Sequence, residues 1–157
     1  MAVIGTSLKG LCMINIVVVS NNQSKALGSL SKQSDMSVVK VLPTSLEGIV
    51  EQIGDKHPDI MIIADSTETD NQDLLCHFLA KHYQGARHLV LTGASPNYEM
   101  LENSGFRARG YITPDQHSFI AKAVRVVFDG EAWLPRKLVT ELLDRHAASF
   151  LSENATI

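Results

Sequence analysis

Pro58-Asp59-Ile60-Met61-Ile62-Ile63-Ala64-Asp65 decides how the rest of the chain is read. An apolar run entered from a proline and left through the acid-rich loop Ser66 to Asp73 describes a strand covered on both faces. Such a strand lies at the centre of a parallel sheet. In an open α/β sheet the loops leaving the carboxyl ends of strands build the sites. The question of function therefore starts at Ala64 and Asp65 and at whatever the fold brings beside them.

Working outward toward the N-terminus, Met13 to Val19 is β-branched and apolar and predicts a first strand. It ends in the polar turn Ser20-Asn21-Asn22-Gln23, which opens a weak helix around Ser24 to Lys32. Met36 to Leu42 is a second strand. Thr44, with Glu47 in capping-box spacing, starts a helix whose stripe is Leu46, Ile49, Val50 and Ile53. On the other side, a helix from about Asn71 to His82 turns Leu74, Leu75, Phe78 and Leu79 inward. His88 to Thr92 is a fourth strand, a short helix runs from Pro96 to Asn103, and Gly110-Tyr111-Ile112 is a fifth strand. Thr113, Pro114 and Gln116 start the next helix, with Ile120, Ala123, Val124 and Val127 inward and Gly130 at its end. Trp133-Leu134-Pro135 leads into a last helix to about Ala148, with Leu138, Val139, Leu142 and Leu143 on one side. This alternation predicts an α/β fold, a doubly wound five-stranded parallel sheet in the order 2-1-3-4-5, with an extra C-terminal helix. The chain divides into an N-terminal arm, 1–12, a domain, 13–130, and a C-terminal helix and tail, 131–157.

A length of 157 residues suits one such domain with a substantial core. The net charge of -3 and the absence of a basic stripe argue against nucleic-acid binding by this chain. Cys12 and Cys76 stand far apart, as reduced thiols do in the cytoplasm. No run approaches the roughly 18 apolar residues that cross a bilayer, and the first residues lack the pattern of a signal peptide. The expectation is a cytoplasmic protein with no membrane contact. No nucleophile–base pair and no metal-ligand set stands out, so no enzyme activity, cofactor or metal is expected. His77 and His82 lie five apart, off the spacing that puts two ligands on one helix face. Gly5, Gly10 and Gly28 make no phosphate-cradling loop, and Asp65, Glu68, Asp70 and Asp73 read as a solvated acidic loop.

Leu89-Val90-Leu91-Thr92, Gly110-Tyr111, Val124-Arg125-Val126-Val127 and Gly130-Glu131-Ala132-Trp133-Leu134-Pro135 together resemble the receiver domain of response regulators, in the NarL/FixJ (LuxR-type) branch. The likeness covers about Ile14 to Leu143. It implies a phosphoryl-accepting aspartate ending strand three and a magnesium-binding acid pair after strand one. It also implies a threonine or serine ending strand four and a lysine ending strand five, just behind an aromatic residue. Here the acid pair falls on Ser20 and Asn21, the acceptor on Ala64 and the lysine on Pro114, or on Thr113 if the loop is one residue short; only Thr92 and Tyr111 survive. Asp65 stands one residue past the acceptor, an offset that turns a strand side chain to the opposite face unless a bulge at the strand end restores it.

The resemblance thus implies a degenerate, phosphorylation-independent receiver. It would serve as a regulatory protein-interaction and dimerisation module of a transcriptional regulator. By the same likeness the output surface would hold Tyr98, Leu101, Tyr111 and Phe119. A homodimer is expected, through that surface or through the last helix. The alternative is a small-molecule sensor whose vacated pocket offers Ser20, Asn21 and Thr92 to a ligand.

Overall fold

The computed structural model describes residues 13–21, 25–64 and 71–154. Five strands form one wholly parallel sheet: β1 (Ile14–Val19), β2 (Met36–Val41), β3 (Ile60–Ile63), β4 (Arg87–Leu91) and β5 (Ala108–Ile112), in the order β2-β1-β3-β4-β5. Between and after them come α1 (Lys25–Leu30), α2 (Leu46–Ile53), α3 (Gln72–His82) and α4 (Tyr98–Asn103). A 3₁₀ segment (Pro114–Phe119), α5 (Ile120–Phe128) and α6 (Arg136–Asn154) complete the chain. The arm, Cys12 and the loop residues Asp65, Glu68 and Asp70 lie outside the described residues.

Period-two alternation divides the strand side chains between two apolar layers. Ile16, Val18, Ile60, Ile62, Leu89 and Ile112 meet α1 and α5 through Leu27, Leu30, Ile120, Ala123, Val124 and Val127. Val17, Val19, Met61, Ile63, Val90 and Tyr111 meet α2, α3 and α4 through Ile49, Ile53, Leu75, Cys76, Leu79 and Leu101. All four β3 residues are fully buried, as the opening stretch predicts for a strand covered on both faces. Each large side chain so buried contributes about 1.5–3 kcal/mol.

Three local expectations are corrected. The N-cap of α2 is Ser45, whose hydroxyl accepts from the Gly48 N–H at 3.0 Å, rather than Thr44. Thr44 instead faces the Gln52 carboxamide, which also closes on the Leu42 backbone. The inward stripe of α3 is Asp73, Leu75, Cys76, Leu79 and Ala80, so the helix is rotated from the expected face and leaves Leu74 and Phe78 substantially exposed. The segment opened by Thr113, Pro114 and Gln116, expected as the start of a helix, winds as a 3₁₀ turn before α5 begins, with a capping box between Thr113 and Gln116.

Beyond Gly130, Trp133 lies against β5. The Trp133 N–H donates to Arg109 O at 2.8 Å, and the Tyr111 N–H donates to Trp133 O at 3.1 Å. This close approach needs Gly110, because a Cβ there would meet Leu89 and stand 3.1 Å from the Trp133 Cβ. α6 then folds back onto α4. Leu138 is buried, Leu134 and Leu142 are half-buried, and the Arg145 guanidinium lies 4.0 Å from the centroid of the Tyr98 ring. Among the described residues no helix is long and apolar enough to cross a membrane.

Candidate functional site: the carboxyl ends of the strands

Parallel strands leave their carboxyl-end carbonyls at one edge of the sheet, and the residues just past them converge there. Ser20 follows β1, fully buried, and its N–H donates to Val41 O at 3.0 Å. Asn21 beside it is exposed, and both residues are engaged in interactions of their own. Ala64 follows β3, half-buried, with its N–H on Val19 O at 3.0 Å. Thr92 follows β4, nearly buried, with its N–H on Ile112 O at 2.9 Å. The Thr92 hydroxyl accepts from the Ala94 N–H at 3.1 Å, so its lone pair closes its own turn. Pro114 follows β5 as the first residue of the 3₁₀ segment. The topology thus brings Ser20, Ala64, Thr92 and Pro114 to one edge, and none of them is ionisable.

What lies across the ends of β3 and β4 is a side chain that the sequence pattern did not single out. Gln72, the first residue of α3, directs its carboxamide nitrogen at three carbonyls. The distances are 2.7 Å to Ala64 O, 2.7 Å to Leu91 O and 3.3 Å to Ile63 O. Its neighbour Asp73 turns inward and accepts from the Tyr111 hydroxyl at 2.7 Å. Burial pushes the Asp73 carboxyl up, against the lowering effect of that hydrogen bond. Burial also raises the Tyr111 hydroxyl, reinforced by the bond to Asp73 and by its charge. Asp73 therefore belongs to the core interface and not to a solvated acidic loop; the only hint in the sequence is its place at i, i+3 and i+6 with Cys76 and Leu79.

The polarity of this edge is set by oxygen acceptors that face a donor. Phosphoryl chemistry requires the reverse, with positive charge and N–H donors facing developing negative charge. A magnesium ion wants several carboxylate or water oxygens around it. Ser20, Asn21 and Ala64 supply no carboxylate, so these positions do not fit the ion that the resemblance implies. Among the described residues no group of three histidine, cysteine, aspartate or glutamate side chains could hold a metal. Asp65 lies outside the described residues.

The four residues expected on an output surface separate. Leu101 and Tyr111 are core residues and present no side chain to a partner. Contrary to a surface placement, α4 and β5 turn these two side chains inward toward α3 and α6. Tyr98 is half-buried between Arg145 and Phe106. Phe119, at the end of the 3₁₀ segment, is the exposed member at 51%.

No family model matches the sequence, and no curated protein matches it. Solved structures do match. The isolated receiver domain of RcsB from Salmonella enterica serovar Typhimurium is 16% identical, with a TM-score of 0.65 over 83% of this chain and 98% of that one. A LuxR-family two-component response regulator from Aurantimonas sp. SI85-9A1 is 14% identical, with a TM-score of 0.66 over 86% of this chain and 99% of that one. A longer Salmonella typhimurium RcsB chain, described for its interaction with DNA, matches at 14% identity and a TM-score of 0.64 over 82% of this chain. The present chain spans only 66% of that regulator's length. The strand order, the helices on both faces and these matches together give the fold: the chain folds as the receiver domains of NarL/LuxR-type response regulators do.

Proposed function

We propose that the chain is a degenerate receiver domain, a non-enzymatic regulatory module of a transcriptional regulator that works without phosphorylation. The observation that carries this reading is the Gln72 carboxamide on the carbonyls of Ile63, Ala64 and Leu91. In a phosphorylatable receiver the same strand ends would hold an acceptor carboxylate and a metal. Here an internal donor spans them, and Ala64 has no nucleophile to offer. What the domain keeps is a scaffold with surfaces, and its output is contact with protein, including a second copy of itself. A ligand entering at Ser20, Asn21 and Thr92 would have to displace Gln72, so ligand sensing at that edge is the weaker reading.

Sedimentation equilibrium at micromolar concentration, with and without magnesium and beryllofluoride, tests the proposal. The expected result is a dimer whose dissociation constant is the same in both conditions. A monomer throughout, or a dimer that tightens on adding beryllofluoride, would count against it.

A further inference from the structure

α6 runs for 19 residues, and its apolar side chains fall on two sides. One side faces the domain. There Leu138 is buried, Val139 and Leu142 are half-buried, and the Arg145 guanidinium stacks on Tyr98. The other side carries Leu143, Ala147 and Leu151 at i, i+4 and i+8, which a helix places in one row. All three are exposed, Leu143 by 62% and Leu151 by 67%. A surface helix of one domain needs a single apolar stripe, and α6 has a second that its own domain does not cover.

The charges beside that row fit a second copy of the same helix. Lys137 and Asp144 stand two turns apart on one flank of it, both exposed, with Thr140 between them. Among the described residues neither forms an ion pair within the chain, and Glu141, one turn on from Lys137, instead lies 3.9 Å from Arg145. A flank that is basic at its start and acidic two turns later is complementary to itself when reversed. Two such helices crossing antiparallel, with a twofold axis between Thr140 and Glu141, bring Lys137 of each copy against Asp144 of the other. The two positions are equidistant from that axis, so the pair forms twice. A parallel arrangement would set lysine on lysine and aspartate on aspartate, and flanking charges of this kind fix the orientation of paired helices. Thr140 is small at the crossing, and Leu143 follows it by one turn on the seam. Ala147 and Leu151 then reach past the start of the second copy's helix, to the level of its exposed Ala132 and Pro135.

We propose that α6 pairs antiparallel with the α6 of a second copy of this chain, covering Leu143, Ala147 and Leu151 and joining Lys137 to Asp144 across the twofold axis. The inference rests on the reading of the domain as an interaction module, and it names the face by which two copies meet. The contact of α6 with α4 inside each copy stays as it is.

Sedimentation equilibrium of the full chain tests the pairing by exchanging the two charges. All the substituted positions are exposed, and far-ultraviolet circular dichroism verifies that each variant is folded. Lys137→Glu places like charges together twice, and it is expected to raise the dimer dissociation constant about tenfold. Asp144→Lys should do the same. The double variant, Lys137→Glu with Asp144→Lys, rebuilds both pairs in reverse and should return to within about twofold of the wild-type value. Leu143→Asp should weaken the dimer by about tenfold or more, since it puts a charge into the seam of both copies. A double variant as weak as either single one would overturn the antiparallel pairing. So would a dimer indifferent to Leu143→Asp, or a wild-type chain that stays monomeric. The two accounts fail separately. A dimer unmoved by these substitutions overturns the pairing and leaves its indifference to beryllofluoride standing. A dimer that responds as expected yet tightens with beryllofluoride supports the pairing and overturns independence from phosphorylation.

Discussion

A carboxamide nitrogen brings two hydrogens, and Gln72 aims its own at the carbonyls of Ile63, Ala64 and Leu91, two of them at 2.7 Å. Truncation would leave partly buried acceptors without a donor, so Gln72→Ala is expected to cost about 1–3 kcal/mol in urea denaturation. Gln72→Glu should cost more, because its carboxylate would face the same oxygens. A second residue-scale expectation concerns His88, buried on β4 with its Nε2 atom lacking a partner among the described residues. Burial first, and then the positive charges of Arg107 and Arg109, push its imidazole from 6.5 down to about 4. Between those values the unfolded chain binds a proton that the folded chain does not, so stability present above pH 6.5 is lost as pH falls toward 4. The loss amounts to about 3 kcal/mol. His88→Leu should flatten that slope in urea denaturation at stepped pH; an unchanged slope would exclude His88 as its source. The placement of Ala64 and Thr92 just past β3 and β4 was legible at this scale because the chain can be counted from Pro58 to Ala64 and from Ala64 to Thr92. Gln72 was not, since a side chain that reaches across two strand ends leaves no local periodicity.

At the scale of elements, α5 and β3 were read correctly because strong patterns leave one solution. Ile120, Ala123, Val124 and Val127 fall on one helical face, and β3 has no polar residue to expose. In α3 the spacing of Leu74, Leu75, Phe78 and Leu79 makes a convincing stripe, but tertiary contacts with β5 keep only Leu75 and Leu79 of it inward and add Asp73 and Cys76. An acid on an apolar face looks wrong until the Tyr111 hydroxyl is placed beside it. The joint between β5 and the C-terminal segment gives a sharper expectation. Gly110→Val would drive its side chain into Leu89 and Trp133, so it should separate the segment from β5. The cost is about 1–3 kcal/mol, as for overpacking a tight interior. The checks are a lower urea midpoint and a red shift of Trp133 emission; a native midpoint with native emission would mean the joint is looser than the backbone distances indicate.

For the whole molecule, strand order and layers followed from alternation of periodicities, the most robust signal a sequence carries. The bidentate pair between Arg125 and Asp35, at 2.9 and 3.0 Å, ties α5 to the entry of β2 and holds the Asp35 carboxyl below its ordinary range. The placement of α6 was open in the sequence, because its apolar residues suit either its own domain or a partner. In the structure Leu138 and Leu142 turn inward and Leu143 outward. Loss of charge at the strand ends is the feature on which the functional account depends, since the fold alone would allow phosphorylation. Intact-mass spectrometry of the chain after incubation with acetyl phosphate and magnesium measures this most directly. The account predicts an unchanged mass, and gain of one phosphoryl group that disappears in Asp65→Asn would contradict it.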